Sequence, residues 1–189
     1  MEELKQLESD LGYVREVVRK SEHDRSPAVV YLLWAAITLA GFAVVDFAPK
    51  RGGFFWLVAG PMGGLISARL GRRQSVRRGQ VRREEGIRWG LHWGGMMAAI
   101  LLAVPLAVTG VIQARGFGNV ILLVVALTYF LAGVHLERPL AWIGALIAVG
   151  YIALFFIPAY GWTFVGVLVA AALAATPMIG GRESAAPAN

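Results

Sequence analysis

The chain has 189 residues, 57% of them hydrophobic, no cysteine and a formal net charge of +6 at pH 7. A soluble domain of this size is usually about 45–50% apolar, so a mean hydropathy of +0.61 points to lipid as the solvent. Without cysteine there are no disulfides, no thiol catalysis and no cysteine-based metal site.

Residues 1–26 are charged and precede the first apolar run, the reverse of the order in a cleavable signal peptide. Within them Leu4, Leu7, Leu11, Val14 and Val18 follow the a/d spacing of a coiled coil. The spacing predicts a cytoplasmic amphipathic helix, and the seam suits self-association, docking on the protein's own cytoplasmic face or lying on the membrane. Its polar side mixes Glu8, Asp10 and Glu16 with Lys5, Arg15 and Arg19. A membrane-surface helix is predominantly basic there, so protein contact is the preferred reading. Ser26 and Pro27 are expected as N-cap and first residue of the first span.

Six apolar stretches follow, at 28–47, 54–70, 89–111, 117–136, 140–157 and 162–179. A helix rises about 1.5 Å per residue, so roughly 20 such residues cross a hydrocarbon core about 30 Å thick. The runs are continuous rather than alternating, which argues against a β-barrel. The expected fold is therefore an all-α integral membrane protein. Its membrane domain, 27–179, holds six transmembrane helices as three antiparallel hairpins, and a disordered cytoplasmic tail, 180–189, follows.

Orientation comes from the basic residues. Lys5, Arg15, Arg19, Lys20 and Arg25, the eight arginines within 69–88, and Arg138 and Arg182 fall on one side; Lys50, Arg51 and Arg115 fall on the other. Under the positive-inside rule the rich side is cytoplasmic, with both termini. A bacterial cytoplasmic membrane, the cell inner membrane, is the expected location. The Arg-rich loop, 69–88, carries doublets at Arg72-Arg73, Arg77-Arg78 and Arg82-Arg83. They are expected to anchor topology and to touch anionic lipid headgroups at the cytoplasmic face. Nucleic acid is not expected, because no aromatic residue stands among the doublets to stack a base.

Small residues recur every four positions at Gly60 and Gly64, continuing to Ala68, and at Gly86, Gly90 and Gly94. Such stripes let helix backbones approach in lipid, so these glycines are expected to pack helices, within the central hairpin or against a second protomer. Pro61 and Pro105 are expected to kink their helices. An internal repeat relates Gly41-Phe42, Phe47 and Pro49 to Gly150-Tyr151, Phe156 and Pro158, with Trp34 and Trp142 preceding the glycines. This tryptophan–glycine–proline pattern resembles that of bacterial acid-resistance membrane proteins built from three short hairpin repeats. It does so at scattered positions, and no function is carried over from it.

Charge inside hydrocarbon is costly, so the ionisable residues near the spans are the candidates for chemistry. Asp46, near the outer end of the first span, is a proton- or cation-sensing carboxylate or the partner of Lys50 or Arg51. His92, His135 and Glu137 all fall toward the cytoplasmic side, where convergence would make a ligand or pH-sensing site. The alternative is polar groups satisfied at the interface. Trp34, Trp56, Trp89, Trp93, Trp142 and Trp162 cluster at span ends as an aromatic belt. No catalytic triad, phosphate loop, nucleotide fingerprint or haem attachment motif is present, so neither an enzyme nor a cofactor is expected. The function expected is a contact-based regulatory, sensory or scaffold role, as a homo-oligomer or beside a partner membrane protein. The alternative is a small transporter or channel, with its pathway between protomers or near Asp46, His92 and His135.

Overall fold

A computed structural model of the chain describes residues 6, 12, 26–77, 83–157 and 159–183, without the side chains of 114, 115 and 179–183. The heptad positions Leu4, Leu7, Leu11, Val14 and Val18, with Arg78, Arg82 and the tail beyond 183, lie outside the described residues. Six helices and no strand occur among the described residues: α1 Ala28–Phe47, α2 Pro49–Arg77, α3 Arg83–Val108, α4 Ala114–His135, α5 Pro139–Ala153 and α6 Gly161–Glu183. Five of them are long and apolar enough to cross a membrane.

Local chemistry places the breaks. Ala48 precedes Pro49, whose ring disfavours helical backbone at the residue before it, and Ala48 leaves the helix at φ −142°, ψ 64°. Pro49 then opens α2, where its missing N–H costs nothing. Pro139 opens α5 for the same reason. α3 stops at Val108, and Gly110 follows with φ +75°, a conformation that a side chain resists. Pro61, Pro105 and Pro177 lie inside α2, α3 and α6.

Several boundaries differ from expectation, the opening of α2 at Pro49 rather than at Phe54 among them. α2 runs on to Arg77 and α3 begins at Arg83, so Arg69, Arg72, Arg73, Arg77, Arg83 and Arg88 are helical rather than loop residues. Arginine and glutamine are good helix formers, and between 70 and 77 they carry the helix past Gly71 without a proline to stop it. The fifth apolar run forms a regular helix of only 15 residues, about 22 Å of rise against a core of about 30 Å, and the rest of the run to Ile157 continues as turn. Beyond Ala153 the chain tightens, Phe155 N–H bonding to the Ile152 carbonyl and Phe156 N–H to that of Ala153. Lastly, α1 starts at Ala28 with Pro27 in the capping position, and Ser26 does not cap its own helix.

The helices form an open row in the order α2, α1, α6, α5, α4, α3, each packed on the next. α2 and α3 stand at its two ends and make no contact with each other among the described residues. The core comes from the middle four: Tyr31, Ala35 and Phe42 of α1, Leu122, Ala126 and Ala132 of α4, Leu140, Ile143 and Ile147 of α5, and Val165, Val169 and Leu173 of α6. Lipid tails are as apolar as leucine, so close van der Waals contact must hold these helices together. Glycines permit it: a methyl group on Gly133 would strike the Ala141 backbone, and one on Gly144 the Phe130 backbone. Gly41 lies against Trp56, and Gly166 against Phe42.

Gly60, Gly64, Gly86, Gly90 and Gly94 behave differently. A methyl group on any of them would meet nothing within 4 Å. Among the described residues they pack no helix, and the central pairing of α2 with α3 is not formed.

Candidate functional site

Two carboxylates tie distant parts of the chain together, one at each end of α1. Glu137 lies in the turn between α4 and α5 and is only 8% exposed. Its Oε1 accepts a hydrogen bond from the Tyr31 hydroxyl at 2.7 Å. Its Oε2 accepts one from the Ser26 hydroxyl at 2.7 Å, and the Ser26 N–H donates to both oxygens at 3.3 Å. The serine expected to cap α1 instead hands its hydroxyl and N–H to an acid more than a hundred residues away. That carboxylate stands where the positive end of the α1 dipole favours negative charge.

Asp46 repeats the device at the other end. It closes α1, and its Oδ2 accepts bonds from the Thr163 N–H and hydroxyl, each at 2.7 Å. Thr163 is the third residue of α6, one of the first-turn positions whose N–H has no partner inside the helix. Asp46 therefore caps α6 from a neighbouring helix, and its partner is Thr163 rather than Lys50 or Arg51. Beside it Phe47 stacks on Tyr160 at 5.3 Å, and Tyr160 takes a left-handed φ of 55° to begin the last helix.

Two further polar contacts attach the end helices. The Trp34 indole N–H donates to the Ser67 hydroxyl at 3.0 Å, joining α1 to α2. His92 Nε2 lies 3.0 Å from the Thr128 carbonyl, joining α3 to α4, with His92 and Tyr129 both edge-on to Trp93. Among the described residues no buried side-chain polar atom lacks a hydrogen-bond partner.

An open cleft of about 550 Å³ lies where the first turns of α3 meet the last turn of α4. Arg83, Glu84, Glu85, Arg88, Trp89, His135 and Leu136 line it. His92, His135 and Glu137 thus receive three different settings: the Thr128 carbonyl, the cleft, and the start of α1. Among the described residues no group of three His, Asp or Glu side chains is placed to hold a metal ion.

Sequence reasoning named Asp46 and Glu137 but not their partners Thr163, Ser26 and Tyr31, which lie 106 to 117 residues away. The available signal was a hydroxyl at each helix entry, Ser26 before Pro27 and Thr163 after Gly161. Glu84, Glu85 and Arg88, which line the cleft, fall at the end of the Arg-rich segment 69–88, where only the arginines carried a reading. Comparison with protein-family models, curated proteins and solved structures found no match.

Proposed function

We propose that this chain is a six-span membrane protein arranged as three antiparallel hairpins, with both termini and the arginine-rich ends of α2 and α3 in the cytoplasm. Its role is contact-based rather than enzymatic: a scaffold or regulatory subunit whose outer helices α2 and α3 receive a second copy of the chain. The observation that carries this reading is the open row. Its four middle helices bury one another, while among the described residues α2 and α3 each use a single side and leave their small-residue stripes uncovered.

Register supports the pairing. Gly64 lies five residues before Arg69 at the basic end of α2, and Gly94 lies six residues after Arg88 at the basic end of α3. A difference of one residue is about 1.5 Å of rise, so the two stripes are level in the membrane. Ala68 and Gly90 match in the same way. Small residues at one depth on two free helix faces suit close backbone approach between protomers.

The hydrogen bonds of Asp46, Glu137 and His92 also favour contact over transport. A solute pathway needs polar lining, and these side chains are already spent in joining helices. Of Asp46, His92 and His135 only the last lines the cleft.

The test is the mass of the purified protein in detergent, with and without residues 1–25. The reading predicts an oligomer that persists after the truncation, because the helix faces remain. A monomer in both cases would overturn it. An oligomer that falls apart on truncation would move the contact from α2 and α3 to the heptad seam.

A further inference from the structure

We infer that the cleft between α3 and α4 binds a zwitterionic phosphoethanolamine group, as carried by a phospholipid headgroup. The inference rests on the membrane reading above, which puts the cleft at headgroup depth. Its lining is unusual for a simple anion site: Arg83 and Arg88 flank Glu84 and Glu85 in the chain, with His135 opposite on α4. Among the described residues these charged side chains make no hydrogen bond or ion pair with one another, although Glu84 and Arg88 have the spacing for one. Among the described residues both signs of charge are therefore unspent.

A purely anionic headgroup would face two carboxylates in this cleft, and a purely cationic ligand two guanidinium groups. A phosphodiester joined by two carbons to a primary ammonium satisfies both. The guanidinium groups hold the phosphate in charge-assisted bonds, aided by the positive end of the α3 dipole. The ammonium then donates to Glu84 and Glu85. A quaternary ammonium has no N–H to give them and loses that half of the site.

The surroundings fit a lipid as the source. Trp89 lines the cleft on its membrane side, at the depth where indole rings favour the interface. Leu91 on α3 is 71% exposed, one turn beyond Arg88. Leu131 and Leu127 on α4 are exposed one and two turns before His135. An acyl chain leaving the cleft toward the bilayer centre would meet these side chains.

The experiment is native mass spectrometry of the full chain released from detergent. It is titrated with phosphatidylethanolamine, phosphatidylglycerol or phosphatidylcholine of identical acyl chains, and separately with free phosphoethanolamine. The expected result is phosphatidylethanolamine retained about tenfold more tightly than the other two lipids, the worth of one charge-assisted hydrogen bond. The double variant Glu84→Gln with Glu85→Gln should abolish that preference while keeping the phosphate-dependent binding. Arg83→Gln with Arg88→Gln should weaken all three lipids alike. Displacement of the lipid by equimolar free phosphoethanolamine would support the same chemistry with a soluble source. Phosphatidylglycerol bound as tightly as phosphatidylethanolamine, with no response to the glutamate variants, would overturn the inference. A protein that does not enter detergent micelles at all would instead remove the membrane reading beneath it.

Discussion

α1 and α2 are adjacent in the chain, separated by Ala48 alone, yet they meet different surroundings. In the most apolar 18-residue window of α1, 28% of residues are buried inside the protein; in those of α2 and α3 the share is 6%. All three windows are apolar enough for lipid. Hydropathy thus decides which segments enter the membrane, and shape decides which of them form the core. The middle four helices interlock through Gly133, Gly144 and Gly166, whose missing side chains make room for a neighbour. The outer two carry glycines at regular spacing that face open space.

Substitution of glycines is the strongest way to break this contrast. Gly144→Leu forces a side chain into the Phe130 backbone and should cost about 3 kcal/mol, the upper range for overpacking. Gly90→Ala meets open space and should leave a single protomer no less stable, alanine favouring the helix by up to about 1 kcal/mol. Thermal unfolding in detergent, followed by loss of helix signal, would separate the two. Equal losses would mean that core and edge are not distinct.

Removing the Glu137 carboxylate comes next. Glu137→Ala leaves the Ser26 and Tyr31 donors without their acceptor, a cost of about 1–3 kcal/mol. Denaturant titration should show it, and Tyr31→Phe should recover part of the loss in the double variant. Asp46→Ala removes only the cap on α6 and should cost about 1 kcal/mol, with Asp46→Asn restoring most of it. Trp34→Phe, which frees Ser67 at the edge between α1 and α2, should cost about 0.6 kcal/mol, the average for hydrogen bonds between membrane helices. If it cost more than Glu137→Ala, the edge would be held as firmly as the core.

The helical class and most span boundaries were legible, because a run of about 20 apolar residues has few alternatives in water or lipid. Proline explains the breaks at Ala48 and before α5 at sequence level. What could not be read was partnership. Asp46 has basic residues one turn away, and local spacing favoured them. The α6 N-terminus, 117 residues on, offers two donors instead. The glycines show the same limit. A four-residue spacing marks a smooth face, whereas Gly133 belongs to no such series and Gly144 has only Ala148 at that interval; both acquire their role when α4 and α5 cross. The short α5 was hidden because Leu140 to Ile157 is apolar throughout, and hydropathy does not register where a helix tightens into a turn.

The most direct test uses the absence of cysteine from the chain. Ala68→Cys and Gly90→Cys would be made in separate copies, coexpressed and oxidised in native membranes. The account predicts a disulfide-linked dimer joining α2 of one copy to α3 of another, lost on reduction. A chain carrying both cysteines that cross-links only within itself, with no dimer from the mixed copies, would contradict it and place α2 against its own α3.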